Sequence, residues 1–195
     1  MAKKQKAQKK KAGQNQRAEH MDVLAVCGSH RKGNTEFALR KILDRFSEKG
    51  AKCEIVLLRE KKIEFCGGGN CCEKSKSCHM TDDMGKIYAK IISADALVLG
   101  SPAYFSNVSA LMKNFIDRMN PYWEDERLKG KKVIIVTVGG IESSALKCAE
   151  NLKEFARICR MKVVETLVFT AENAGDLSRN GKAIKEIEKA AEGAF

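Results

Sequence analysis

An α/β fold built on a doubly wound, five-stranded parallel sheet is what this sequence predicts, and three observations carry that expectation. Short apolar runs alternate with longer segments whose apolar residues recur at helical spacing. The runs show little alternation between faces, as strands buried on both sides do. The loops that follow three of the runs are rich in Gly, Ser and Asn, residues that suit a ligand-binding rim.

The elements follow in order. Asp22 to Cys27 reads as the first strand, and after the loop Gly28-Ser29-His30-Arg31-Lys32-Gly33-Asn34-Thr35 a helix carries Ala38, Leu39, Ile42, Leu43 and Phe46 and ends near Gly50. Lys52 to Leu58 is the second strand. A cysteine-rich loop runs from Ile63 to Met80, and Thr81-Asp82-Asp83 then opens a helix with the stripe Met84, Ile87, Tyr88, Ile91 and Ile92. Ala94 to Gly100 is the third strand. The loop 101–107 leads to a helix whose stripe is Val108, Leu111, Met112, Phe115, Ile116 and Met119. Lys132 to Val138 is the fourth strand, ending at Gly139-Gly140. Ser143 or Ser144 is expected to cap the next helix, which carries Ala145, Ala149, Leu152, Ala156 and Cys159. Val163 to Phe169 is the fifth strand and residues 180–192 the last helix.

With 195 residues and two prolines the chain reads as one domain, residues 21–195, behind a basic tail, residues 1–20. Seven basic residues against Glu19 give that tail a net +6, more than half of the chain's +11. So little apolar surface is available there that the tail is expected to be flexible, either a solvated extension or an arm for nucleic acid or another acidic partner. No groove-reading motif accompanies it, so no specific nucleic-acid function is expected. No apolar run is long enough to span a membrane and no apolar leader is present, so a cytoplasmic protein without membrane attachment is expected. Eight cysteines without a leader point to metal or redox use rather than disulfides.

The loop after the first strand has the character of a phosphate cradle, because it opens a helix whose first N–H groups and dipole favour an anion. A triphosphate loop would need lysine where Asn34 stands. A dinucleotide loop would need glycine where His30 stands. What remains is a terminal-monophosphate site with Ser29, Asn34 and Thr35 as donors and Arg31 as a cation; a ligand-free turn capped by Asn34 is the plainer alternative. Loops 28–35, 101–107 and 139–143 share the carboxyl end of the sheet. Ser101, Pro102, Ala103, Tyr104, Phe105 and Ser106 supply donors and aromatic surface, and Gly139 and Gly140 let backbone approach a flat ring. A monophosphate at one end and a planar ring at the other describe a mononucleotide, of which the flavin is the redox-active choice. No side chain stands out as a catalytic acid, base or nucleophile.

The phosphate-loop text, the run Ser101-Pro102-Ala103-Tyr104-Phe105-Ser106-Asn107-Val108-Ser109-Ala110 leading to Lys113-Asn114-Phe115-Ile116-Asp117-Arg118, and the Cys-rich text before Asp82-Asp83-Met84 together resemble the NADPH-dependent FMN reductase superfamily. Within it the likeness is to the iron-sulfur flavoproteins. It covers about residues 21–170 and implies a flavodoxin-like fold of sheet order 2-1-3-4-5, FMN held by the three loops, and assembly near the flavin. The resemblance also implies a [4Fe-4S] cluster on four cysteines of one loop. Cys66, Cys72 and Cys78 fall in the family's register, whereas Gly69 occupies the second ligand position and Cys71 follows two residues late. Cys66, Cys71, Cys72 and Cys78 are therefore the candidate metal ligands. A zinc site that includes His79, or free thiols, are the alternatives. Cys27, Cys53, Cys148 and Cys159 read as core residues.

The activity implied is that of an FMN-dependent oxidoreductase passing electrons between the cluster and FMN, or an NAD(P)H-dependent FMN or quinone reductase without a cluster. A binding module using the basic tail is the reading from another class. Donor and acceptor proteins or NAD(P)H are the expected partners. A homodimer or homotetramer is expected from the resemblance and from Pro121-Tyr122-Trp123, although a core position for Trp123 fits that segment as well.

Overall fold

The computed structural model describes residues 21–193 apart from Asn70 and Glu124. The expected flexible tail, residues 1–20, lies outside the described residues. Six strands are present among the described residues: β1 (Asp22–Cys27), β2 (Lys52–Leu57), β3 (Ala96–Tyr104), β4 (Asn107–Val108), β5 (Lys132–Gly139) and β6 (Lys162–Thr170). The helices are α1 (Asn34–Ser47), α2 (Cys71–Ser75), α3 (Met84–Ser93), α4 (Ala110–Arg118), α5 (Glu142–Ile158), α6 (Asp176–Arg179) and α7 (Gly181–Gly193). Five strands pair in parallel in the order β2-β1-β3-β5-β6, which is the expected flavodoxin-like order once β4 is set aside.

The apolar runs form this sheet because both of its faces are covered. Leu24, Val26, Leu97, Leu99, Val133 and Ile135 face one cluster with α3, α4 and α5, while Val23, Ala25, Val98, Ile134 and Val136 face the other with α1 and α7. Alternate residues of one strand thus enter opposite clusters, and neither face has to be polar.

Three local expectations are corrected. First, residues 101–104 are strand rather than loop: β3 stays paired with β5 as far as Pro102 opposite Val138, then turns back on β4 through Ala103 opposite Val108. Val108 therefore belongs to β4 rather than to the helical stripe. Secondly, neither Ser143 nor Ser144 caps α5; Ile141 stands at the cap, and the Ser144 hydroxyl instead accepts from the Ser106 N–H at 3.1 Å. Thirdly, the cysteine loop carries the short helix α2, and α6 precedes the last helix.

Candidate functional site

The phosphate loop runs from the carboxyl end of β1 to the first turn of α1. Gly28 donates to the Gly100 carbonyl at 2.8 Å, and a Cβ at Gly28 would lie 2.7 Å from Met112 Cβ, so only glycine lets the loop pass this close to α4. The buried Ser29 hydroxyl donates to the Arg31 carbonyl at 2.7 Å and accepts from the Arg31 N–H, which folds the loop tightly. Gly33 stands at the cap of α1 and offers no side chain to the first N–H groups. The free N–H groups at a helix start point outward from it, as an anion site requires.

The charges around them are arranged to match. Glu36, in the first turn of α1, is buried, which by itself would raise its pKa, but Arg59 at 2.7 Å and Arg40 at 2.8 Å hold it below the ordinary carboxylate value. Its charge is thus neutralised internally. Arg31 is exposed, forms no ion pair among the described residues and lies against Gly33, with its Nε 3.9 Å from the ideal Cβ position there. Thr35, two residues beyond Gly33, is buried. Asn34 behaves differently: its Nδ2 donates to the Asn173 carbonyl at 2.8 Å, and its Oδ1 accepts from the N–H groups of Gly175 and Leu177. Its side chain clamps the loop after β6, which leaves its backbone N–H as its donor at the helix start.

The second loop is a hairpin tip. Phe105 and Ser106 both have positive φ, 49° and 62°, between the paired residues Tyr104 and Asn107, the conformation of a two-residue type I′ turn. Neither is glycine, so the tip holds strain of the kind found at ligand-binding positions. Phe105 is fully exposed, and Tyr104 is half exposed with its ring 6.4 Å from that of His30 in the phosphate loop. Ser101 is buried, its hydroxyl donating to the Pro102 carbonyl and accepting from the Ser109 N–H. In the third loop Gly139 is enclosed by Ile141 and Ala145, whereas a Cβ at Gly140 would meet nothing within 4 Å, so Gly140 is the glycine that presents bare backbone. These observations fit a mononucleotide at the carboxyl end of the sheet.

Ser109 was missed by the sequence reading. Its hydroxyl caps α4 by accepting from the Met112 N–H at 3.1 Å and donates to the Gly28 carbonyl at 2.6 Å, which ties the second loop to the first. The signal was a serine shortly before Leu111 and Met112, hidden because the helical stripe was expected to begin at Val108.

The cysteine loop lies over α4 and the turn after it. Cys72 is buried and its sulfur accepts from Asn120 Nδ2 at 3.2 Å, while Cys78 accepts from Arg118 Nη2 at 3.5 Å. Cys66 is exposed and with Cys72 lines a groove of about 1070 Å³ bordered by Asn107, Met119, Trp123 and Phe155. Cys71 is exposed and pairs with His79, Sγ to Nδ1 3.3 Å. Four thiols within thirteen residues, two of them already receiving N–H donors, match the donor chemistry of an iron-sulfur centre. The four are not drawn together: no three ligands stand in metal-holding positions among the described residues. Cys27 and Cys148 are pushed up to about 11 and Cys159 to about 12 by burial, consistent with core roles.

Tyr122 is core, with its ring 5.0 Å from that of Tyr88, whereas Trp123 is 46% exposed on the groove, so a core position for Trp123 is not what the structure has.

The order of the parallel strands defines a flavodoxin-like α/β fold. The family model for NADPH-dependent FMN reductase matches residues 21–176, and the chain belongs to that family of FMN-dependent oxidoreductases. An iron-sulfur flavoprotein of Methanocaldococcus jannaschii is 37% identical over 146 residues, covering 74% of this chain and 76% of its own length. A second iron-sulfur flavoprotein of that organism is 29% identical and covers 89% of both chains. Among solved structures, the NAD(P)H:quinone oxidoreductase from Methanothermobacter marburgensis superposes with a TM-score of 0.66 at 18% identity, covering 88% of this chain and 96% of that one, a likeness of fold.

Proposed function

We propose that this protein is an electron-transfer flavoprotein in which FMN and a [4Fe-4S] cluster occupy neighbouring sites of one fold. The observation that carries the flavin half is the start of α1, where the cap residue Gly33 offers no side chain, beside Arg31, which has no ion-pair partner among the described residues, at the carboxyl end of the sheet where the three loops lie. Arg31, Thr35 and the Asn34 backbone would hold the phosphate, whereas Ser29, expected as a donor, gives its one hydroxyl proton to the Arg31 carbonyl and shapes the loop instead. Residues 101–106 and Gly139-Gly140 would hold the ring, with Tyr104 and Phe105 shielding it from water. Cys66, Cys71, Cys72 and Cys78 would ligate the cluster. When bound, FMN supplies one- and two-electron exchange and the cluster one-electron exchange.

The chain's own residues set the terms. Arg31 and the helix dipole compensate the phosphate charge. Asn120 and Arg118 direct N–H groups at the sulfurs of Cys72 and Cys78. Exposed Phe105, Ile141 and Leu146 near the flavin loops support assembly as a homodimer or homotetramer through that face. No helix among the described residues is long and apolar enough to cross a membrane, which supports a cytoplasmic location. Electrons would be exchanged with a carrier protein or NAD(P)H.

The Cys71–His79 pair favours a second reading, an NAD(P)H-dependent FMN or quinone reductase whose cysteines hold no cluster. Stepwise anaerobic reduction separates the two. The first reading expects about three electron equivalents per chain, two for the flavin and one for the cluster, and the second about two.

A further inference from the structure

Arg118 is 1% exposed, on the face of α4 that packs against the core. Charged side chains are rarely buried so completely unless they are paired, and this one is paired with great economy. Nη1 donates to Asp82 Oδ2 at 2.6 Å and to the Glu64 carbonyl at 2.8 Å, while Nη2 donates to Asp82 Oδ1 at 3.1 Å and to the sulfur of Cys78 at 3.5 Å. Asp82 in turn accepts from the N–H groups of Glu64 and Met84. The two residues therefore pin together the entrance of the cysteine loop at Glu64, its exit at Cys78 to Asp82, and the body of the domain at α4.

A staple made only for stability has no need of a sulfur acceptor. Here one arm of the guanidinium is committed to the thiol of a candidate ligand, and the remaining donor, Nε, is buried with no partner among the described residues. A fixed positive charge in a water-poor site lowers the energy of added negative charge far more than it would in solvent. Asp82 opposes that effect from the far side of the same group.

We propose that Arg118 is a positioning residue that sets the reduction potential of the metal centre on the cysteine loop, raising it through its N–H···S bond to Cys78 and its charge, with Asp82 as the counterweight. The inference rests on the cluster reading above. It adds a pair of residues with opposite and separable effects on one quantity. One-electron reduction makes the centre more negative, and neither a proton nor a covalent bond changes hands. Removing Asp82's charge leaves Arg118 less compensated and makes reduction easier. Removing both charges makes it harder.

The test is a redox titration of the anaerobically purified holoprotein followed by electron paramagnetic resonance, with iron and acid-labile sulfide assayed in every sample. Asp82→Asn is expected to raise the midpoint. The charge-neutral double variant Arg118→Gln/Asp82→Asn, which keeps a hydrogen-bonding pair in place of the ion pair, is expected to lower it. Each shift should correspond to roughly a tenfold change in the oxidised-to-reduced ratio, about 59 mV for a one-electron couple. If the double variant does not retain iron, Asp82→Asn alone decides: an upward shift supports the assignment, and no shift or a downward one overturns it. Parent protein with iron, but both variants at the parent midpoint or displaced in the same direction, overturns the role of Arg118 and leaves the cluster reading standing. Parent protein without iron overturns the cluster reading and this inference with it.

Discussion

Ser109 Oγ donates to the Gly28 carbonyl at 2.6 Å while accepting from the Met112 N–H, so one hydroxyl caps α4 and fastens the phosphate loop to the hairpin loop. Ser109→Ala removes a cap and leaves a buried carbonyl unsatisfied. A loss of about 2 kcal/mol in stability is expected, read by urea unfolding, together with weaker FMN binding read by fluorescence quenching.

Arg31 is a loop cation with no ion-pair partner among the described residues, and Thr35 carries a buried hydroxyl. Arg31→Ala with Thr35→Ala should release the flavin and leave the far-ultraviolet circular dichroism and unfolding midpoint close to those of the parent, because neither side chain is hydrogen-bonded within the described residues. A double variant that stays fully yellow contradicts the phosphate assignment.

Glu36 gives a pH dependence with a definite sign. Its folded pKa lies below the ordinary 4.5, so the stability from its pairing with Arg59 and Arg40 is present above pH 4.5 and is lost as pH falls through the folded value. Unfolding measured between about pH 6 and pH 3 should show a steeper acid decline in the parent than in Glu36→Gln.

The thiols divide by burial. With pKa values pushed up to about 11 or 12, Cys27, Cys148 and Cys159 hold at most roughly a thousandth of their population as thiolate at pH 8. Alkylation of folded, metal-free protein followed by mass spectrometry should label Cys66 and Cys71, which are exposed, and spare these three.

The parallel sheet was legible because strands covered on both faces must be apolar throughout, a pattern helices do not mimic when bounded by Gly and charge. The hairpin at Phe105-Ser106 was not, because type I′ turns usually announce themselves with Asn-Gly, and here strained non-glycine residues take that place. The start of α5 was misplaced for a related reason. Ser144 carries a capping side chain, but its hydroxyl is spent on the hairpin across the site, a tertiary contact that no local pattern encodes. Asn34 was read as facing the phosphate, yet its partners lie about 140 residues along the chain, at Asn173, Gly175 and Leu177. Arg118 left a readable trace, a charge three residues beyond Phe115 on a buried helical face, although nothing local names Asp82 as its partner.

The most direct test of a flavoprotein with a metal centre on this loop is the iron, acid-labile sulfide and FMN content of anaerobically prepared protein, parent beside Cys71→Ser. Cys71 is the informative residue, since it stands outside the family's register and is paired with His79. The account predicts about four iron and four sulfide per chain alongside FMN in the parent, and a sharp fall in iron and sulfide with FMN retained in Cys71→Ser. A parent that binds FMN but contains no iron would contradict it.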